Sequence, residues 1–133
     1  MSLSGGCHCG AVRYETTSDT PHHHAVCHCS DCRRSCGGLM TGWALFDDAQ
    51  LVITGEPARY ASSDHGERLF CIQCGTSLFY RNQAIFPNQT DIQTGTLDDP
   101  ELLPAQAQIQ LAERISWVAK LDDLPGFDRF PGE

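Results

Sequence analysis

Basic residues, aromatic residues and long apolar runs are all scarce in this sequence, and each scarcity excludes a class of protein. Lys and Arg number 9 against 17 Asp and Glu, which leaves a net charge of −8. This charge repels phosphate backbones and anionic lipid, so we expect neither nucleic-acid nor membrane binding. No segment approaches the ~18 apolar residues of a membrane-spanning helix. Aromatic residues make up 8% of the chain, so its core is modest and would gain from a staple.

A secretion signal is also missing from the first residues. Residues 1–6 have neither a basic segment nor an apolar one, which predicts a cytoplasmic protein. The chain has no repeat, low-complexity run or linker, and 133 residues suit a single domain spanning 1–133. In a reducing compartment the 8 cysteines favour metal binding over disulfides. A secreted disulfide scaffold is the competing interpretation.

Short apolar segments separated by turn residues predict an all-β fold of antiparallel sheets. The expected strands lie at residues 11–15, 39–46, 51–54, 59–62, 68–70, 77–80 and 91–95. The sequence at 64–66 predicts a hairpin turn. One or two short helical turns are expected, the first capped by Ser30 or Asp31 and the second beginning at Asp99-Pro100-Glu101.

A pair of cysteines near the middle of the chain has the spacing of a zinc knuckle. Two residues separate Cys71 from Cys74, which lets both sulfurs face one ion, and Gly75 permits the tight turn that follows. Cys7 and Cys9 form a free pair that can complete four thiolate ligands, giving a closed structural site. A redox role for the Cys-x-x-Cys pair is the alternative, although no βαβ pattern surrounds it.

The middle cysteines indicate a different kind of site. Cys27, Cys29 and Cys32 can hold one zinc through three sulfurs and leave a fourth position open, which is the general form of a catalytic zinc site. Three thiolates make zinc a weak Lewis acid that suits a further soft ligand, so we expect a thiol substrate. Alternatively, Cys36 lies one helical turn after Cys32 and could close the site.

Histidines and arginines flank these cysteines. Alternation along an extended segment turns His8 and His28 away from a metal that their neighbours bind, so both are interpreted as packed or solvent-facing, with proton transfer by His28 as an alternative. Arg33 and Arg34 follow Cys32 directly. They are either solvated surface charges or the groups that bind a substrate carboxylate in this acidic protein.

The cysteine motifs together resemble the glutathione-dependent formaldehyde-activating enzyme family, which also contains centromere protein V. The matching stretches are residues 5–14, 27–34, 70–76 and 95–100. They occur in the family's order across most of the chain, and three metal-spaced groups in register are more specific than any one of them.

This resemblance implies a β-tent fold of stacked antiparallel sheets stapled by zinc, an architecture also seen in a chaperone of small GTPases. It implies two zinc ions per chain, a structural one and a catalytic one. The structural ligands would be Cys7, Cys9, Cys71 and Cys74, and the catalytic ligands Cys27, Cys29 and Cys32. The implied reaction is that of a carbon–sulfur lyase, which joins glutathione to formaldehyde and gives S-hydroxymethylglutathione.

Two positions depart from the family pattern. Cys36 stands where Ser or Thr is usual, and Gln108 stands where a His often precedes the Ile. The alternative function is a non-catalytic, zinc-stapled protein-binding module with both sites closed. A third interpretation makes the thiols a redox or metal-buffering store. Exposed strand edges would allow a homodimer.

Overall fold

The computed structural model describes residues 1–132, which form ten strands and one α-helix. The strands are β1 (Leu3–Gly6), β2 (Arg13–Thr16), β3 (His24–Cys27), β4 (Thr41–Asp47), β5 (Leu51–Thr54), β6 (Ala58–Ala61), β7 (Gly66–Phe70), β8 (Ser77–Asn82), β9 (Gln89–Gln93) and β10 (Ala107–Ile109). They make a three-stranded sheet in the order β1-β2-β5 and a seven-stranded sheet in the order β10-β3-β4-β9-β8-β7-β6.

Helical structure is confined to short segments. The α-helix, α1, spans Ser30–Cys36. The 3₁₀ helices are Asp48–Gln50, Thr94–Thr96, Pro100–Leu102, Leu111–Glu113 and Ser116–Asp123. No helix among the described residues has the length and apolar character needed to cross a membrane.

The predicted all-β class is confirmed, with one difference in strand direction. All pairings are antiparallel except that of β10 with β3, which is parallel and places Gln108 opposite Val26. The predicted hairpin exists as β6 and β7, and both expected helical turns are present. Strands β1, β3 and β10 were not predicted, because β1 contains two glycines, β3 runs into the cysteine motif that begins at Cys27, and β10 has only three residues, so none shows a strand's alternation.

Turn geometry shifts two of the predicted strands. The strand expected at 11–15 begins instead at Arg13, because Gly10 takes a φ of 82° and the preceding residues form a turn. The strand expected at 39–46 begins at Thr41, since α1 ends at Gly37 with a φ of 73°. The helix cap is also different: Cys29, not Ser30 or Asp31, accepts the capping hydrogen bond.

The main core lies where the two sheets pack together. The smaller sheet contributes buried Leu3 and Tyr14, and the larger sheet contributes Phe46, Phe79 and Ile92. The Tyr14 and Phe79 rings meet edge to face with centroids 5.4 Å apart. Removing a buried aromatic ring of this kind typically costs about 3–5 kcal/mol. This packing holds β1 and β2, and the turn between them, against the large sheet.

Residues 95–100 contact strands β1 and β2 and hold the small sheet in place. Asp98 accepts a two-pronged hydrogen bond from Arg13, with distances of 2.9 and 2.5 Å, and another from the Ser4 hydroxyl. Gly5 forms a bridge with Leu97, and a Cβ at Gly5 would overlap the carbonyl oxygen of Thr96. The glycine is therefore required by this close backbone approach.

A histidine on the other side of the large sheet partners a buried acid. His23 Nε2 lies 2.9 Å from Asp91 Oδ1, and the Asp91 side chain is only 7% exposed. The hydrogen bond to Asp91 raises the pKa of His23 above its ordinary value, against the opposing effect of burial. A raised pKa in the folded state means that protonated His23 stabilises the fold at low pH, and that this contribution is lost as pH rises through the folded pKa.

We therefore expect His23→Gln to lower stability more at pH 6 than at pH 8.5. His22→Gln is the matched control, because the neighbouring His22 pairs with Asp47 at the surface, where both side chains are about half exposed. Denaturant unfolding of metal-replete protein at both pH values measures the difference. An equal loss at the two pH values, or a larger loss at pH 8.5, would contradict the role of the charged His23–Asp91 pair.

Candidate metal centres

Two turns from different parts of the chain bring four cysteines together. The members of this four-cysteine group are Cys7, Cys9, Cys71 and Cys74. The first pair lies in the turn after β1 and the second in the turn after β7. Each turn closes on a glycine with a positive φ, 82° at Gly10 and 81° at Gly75, and each glycine N–H donates to the carbonyl of the turn's first cysteine. The two turns thus share one arrangement, in which a glycine after the cysteine pair allows the chain to turn back tightly.

The sulfur positions of the four-cysteine group suit a tetrahedral ion. Cys9 Sγ lies 3.7 Å from both Cys7 Sγ and Cys71 Sγ, and all four sulfurs lie within 4.8 Å of one another. Two thiolates that each lie ~2.3 Å from one tetrahedral zinc are about 3.8 Å apart. The group could therefore hold a metal ion.

Hydrogen bonds favour negative charge on several of these sulfurs. Cys9 is the exception: against a lowering hydrogen bond from the backbone of Ala11, burial and the neighbouring cysteines raise its pKa to about 12. The Val12 N–H donates to Cys7 Sγ at 3.2 Å, and the Cys74 N–H donates to Cys71 Sγ at 3.5 Å. The hydroxyl and backbone of Thr76 lower the pKa of Cys74 to about 5. Thiolate, not thiol, is the form that binds metal.

The second set of cysteines joins the end of a strand to the start of a helix. This three-cysteine group consists of Cys27, Cys29 and Cys32, whose sulfurs also lie within 4.8 Å of one another. Cys27 ends β3, Cys29 caps α1, and Cys32 lies in the first turn of the helix. The Cys32 N–H donates to Cys29 Sγ at 3.2 Å, so the helix cap itself orients that sulfur.

Burial raises the pKa of two thiols in this second group. It raises the pKa of Cys32 to about 12, with further increases from Cys29 and Cys27 and an opposing effect from the Arg68 guanidinium. Burial also raises the pKa of Cys27. A metal that binds here would have to displace protons from these thiols, so its affinity would depend on pH.

Cys36 lies outside the three-cysteine group. Its sulfur lies 3.0 Å from Thr41 Oγ1 and accepts a hydrogen bond from the Gly38 N–H at 3.3 Å. Among the described residues, no further His, Cys, Asp or Glu joins Cys27, Cys29 and Cys32 as a candidate ligand.

The two histidines between the cysteines have different surroundings. His8 is exposed, and its backbone N–H donates to Thr76 Oγ1. His28 is 1% exposed, and its Nε2 lies 2.9 Å from Gln108 Oε1 on β10. Gln108 thus contacts His28 and helps to hold β3 beside β10. Neither histidine belongs to a candidate metal group.

A groove of about 710 Å³ is lined by sequence neighbours of both cysteine groups, such as Asp31 and Gly75, and by no cysteine of either group. Residues from α1, β6, β7 and β8 line it together with Gly75. Its charged residues are Asp31, Arg34, Arg59 and Arg68. Three arginines against one acid create a locally positive surface on a protein of net charge −8.

The structure separates the two arginines that follow Cys32. Arg34 is exposed and lines the groove. Arg33 is not among the groove residues; its Nε is buried without a hydrogen-bond partner, and its charge acts on Glu113. A binding role for Arg34 thus has a geometric basis that Arg33 lacks.

Sequence reasoning missed Arg68 as a residue of this region. Its guanidinium nitrogens lie 3.8 and 3.9 Å from Cys32 Sγ, and its carbon lies 4.9 Å from the centre of the Tyr80 ring. Trp43 packs against Cys27 and Cys32, and its ring meets the Tyr80 ring edge to face. No spacing in the sequence connects β7 to the helix that carries Cys32, so no local signal indicated this contact.

Comparisons with known proteins agree with these features. A Halomonas elongata protein named "Putative glutathione-dependent formaldehyde-activating enzyme" is 31% identical over 132 residues, which covers 89% of this chain and 80% of that protein. An uncharacterized lyase of Schizosaccharomyces pombe is 30% identical over 76 residues, covering 57% of this chain and 55% of that protein.

A solved structure shares the fold. The crystal structure of a Rhodobacter sphaeroides protein has a TM-score of 0.57 and 23% identity, and covers 79% of this chain and 98% of that one. Residues 2–113 match the family described as glutathione-dependent formaldehyde-activating enzyme. Because this family match spans most of the chain and the Halomonas elongata protein is similar over most of both chains, the chain belongs to the glutathione-dependent formaldehyde-activating enzyme family.

Proposed function

We propose that this protein is a zinc-dependent carbon–sulfur lyase that joins a thiol such as glutathione to formaldehyde, giving S-hydroxymethylglutathione. The observation that carries the proposal is the three-cysteine group, which lies beside a groove with an excess of arginine. Family membership and a relative named as a lyase support the same reaction class.

The two cysteine groups would take zinc in different roles. Soft thiolates select zinc among the common cellular cations, and four of them make a closed structural site. The three-cysteine group, with three thiolates and no further candidate ligand among the described residues, is the proposed catalytic site. Zinc bound there would act as a Lewis acid that favours the thiolate form of an incoming thiol.

Arg34 is the proposed binding residue for the thiol substrate. Glutathione carries two carboxylates, and a guanidinium binds a carboxylate through two parallel hydrogen bonds. Arg34 is exposed at the groove, and Arg59 beside it is already paired with Glu67 at 2.7 Å. Arg33, also expected to bind substrate, lies outside the groove lining and has no part in this proposal.

The proposed reaction is an addition that balances without a further reactant. The thiolate sulfur attacks the aldehyde carbon, the carbon–oxygen π bond opens, and the oxygen takes up the proton that the thiol released. Cys27, Cys29 and Cys32 would hold the zinc ion, whose positive charge would stabilise the thiolate form of the substrate. His28 is buried against Gln108 and outside the groove lining, so we assign it no proton transfer.

The proposed setting is the cytoplasm, with small molecules as partners. No disulfide joins any of the 8 cysteines, and seven of them belong to the two candidate metal groups, which is the cysteine usage expected of a protein in a reducing compartment. The net charge of −8 disfavours nucleic acid and anionic lipid as partners. A homodimer through exposed strand edges stays a prediction.

Rate measurements on glutathione and formaldehyde test the function directly. We expect native zinc-loaded protein to accelerate adduct formation, and Cys29→Ser to return the rate to the uncatalysed value. Cys36→Ser is the matched control, because Cys36 lies outside the three-cysteine group, and it should retain the acceleration. Exchange spectroscopy by NMR measures the rate. Failure of the native protein to exceed the uncatalysed rate would favour the binding-module function instead.

Metal counting distinguishes the two cysteine groups. Native protein and Cys36→Ser should each carry two zinc ions, and Cys29→Ser should carry one and remain folded. Cys71→Ser should lose the zinc of the four-cysteine group and much of its stability, because structural zinc sites in small peptides contribute on the order of 10–16 kcal/mol. Native mass spectrometry with circular dichroism measures both effects. Loss of a zinc ion from Cys36→Ser would instead indicate that Cys36 closes the second site.

Replacing Arg34 should affect substrate binding more than turnover. We expect Arg34→Met to raise the KM for glutathione by about tenfold to a hundredfold with a small change in kcat, because a hydrogen bond to a charged group contributes roughly 1.5–3 kcal/mol. The loss should be smaller with 2-mercaptoethanol, which has no carboxylate. Steady-state kinetics measures the KM for both thiols. An equal rise in the two KM values would refute the assignment of Arg34 as the carboxylate-binding residue.

A further inference from the structure

Arg68 is a buried arginine whose charge has no acidic partner in the described chain. Its residue is 9% exposed, it takes part in no ion pair with a carboxylate, and its Nε is buried without a hydrogen-bond partner. Buried charges are normally paired, since removing a guanidinium from water is costly. The group nearest to serving as a counter-charge is the sulfur of Cys32, which both terminal nitrogens of Arg68 approach at 3.8 and 3.9 Å.

Neighbouring aromatic rings hold the guanidinium in this position. Arg68 lies over the Tyr80 ring at 4.9 Å from its centroid, and the Tyr80 hydroxyl accepts a hydrogen bond from Asn82 Nδ2 at 3.0 Å. The Trp43 ring meets the Tyr80 ring at 6.2 Å. The arginine therefore cannot swing freely into solvent, and its charge stays at the three-cysteine group.

The net charge of a metal-loaded three-cysteine group explains why a cation such as Arg68 would matter beside it. Three thiolates around a dication carry one net negative charge, and an incoming thiolate would raise this to two in a partly buried site. A guanidinium bonded to one of the sulfurs cancels one unit of negative charge. Because charges interact strongly where water is excluded, this cancellation favours an anionic fourth ligand and has little effect on a neutral one.

We propose that Arg68 is a positioning residue that orients Cys32 and offsets the charge of the three-cysteine group, so that an anionic sulfur can approach it. This inference rests on the proposed function, because it assumes that metal and a thiol substrate meet at Cys27, Cys29 and Cys32. Its role differs from that proposed for Arg34: Arg34 recognises a carboxylate, whereas Arg68 acts on any thiolate.

Ligand binding to cobalt-substituted protein tests this inference without measuring activity. The two probes are 2-mercaptoethanol, which binds as a thiolate and has no carboxylate, and imidazole, which binds as a neutral molecule. Both change the visible spectrum of a cobalt–thiolate site on binding. We expect Arg68→Met to weaken thiol binding by about tenfold or more and to leave imidazole binding within about twofold. Arg68→Lys, which keeps the charge, should restore most of the thiol affinity.

Arg81→Met is the matched control. Arg81 is a partly buried arginine of the same sheet, and its Nε donates to Thr90 Oγ1 away from the cysteines. The Arg81→Met protein should bind both probes as native protein does. Each variant is first checked for two metal ions per chain and a native circular dichroism spectrum.

The outcomes separate this inference from the proposed function. Equal weakening of thiol and imidazole binding in Arg68→Met, or no rescue by Arg68→Lys, would make Arg68 a structural residue and overturn the inference. Thiol binding that is unchanged in Arg68→Met would overturn it too, while the proposed function would stand. If native cobalt protein bound no thiol, the proposed function and this inference would both be wrong.

Discussion

The rest of the structure depends on the meeting of two turns at the four-cysteine group. One turn follows β1 and the other follows β7, so this contact joins the small sheet to the large one over the sequence separation of 62 positions from Cys9 to Cys71. The core between the sheets is modest, and its aromatic members are few. A metal held by both turns would supply stability on the scale of a whole small domain. The turns also place Gly75 at the wall of the groove, so the stapled corner forms part of the surface that substrate would meet.

Local chemistry explains the parts of the fold that could be predicted from sequence. The β6–β7 hairpin and the strand Leu51–Thr54 are bounded by their own turn residues, and the helix at Pro100 begins with its own capping acid. The two cysteine groups were also predictable as pairs and triplets, because spacing determines which sulfurs can face one ion. The pairing of Cys7 and Cys9 with Cys71 and Cys74 was predicted because each pair lacked two ligands, and in the structure all four sulfurs lie close together.

The remainder depends on contacts that no local pattern records. Strand β10 pairs in parallel with β3 far away in sequence, and its residues are exposed, so its composition carries no strand signal. Gln108 acquires a partner only because that pairing brings it to His28. Arg68 was assigned to a strand, but its burial against Cys32 requires knowing that the β7 face and α1 meet. Sequence reasoning therefore identified the candidate ligands and missed the arginine that contacts one of them.

A comparison of the two Cys-x-x-Cys segments shows how one spacing serves two purposes. In both, the second cysteine's N–H donates to the first cysteine's sulfur, at 3.2 Å for Cys29 and 3.5 Å for Cys71. The residue after the pair then decides the outcome. Gly75 reverses the chain into β8, so Cys71 and Cys74 stay in a turn. The turn that carries Cys7 and Cys9 can then supply the other two sulfurs. Arg33 continues a helix, which commits the following residues to α1 and directs Arg34 to the groove. The same sulfur geometry thus yields a closed group in one place and, in the other, an incomplete group beside a groove.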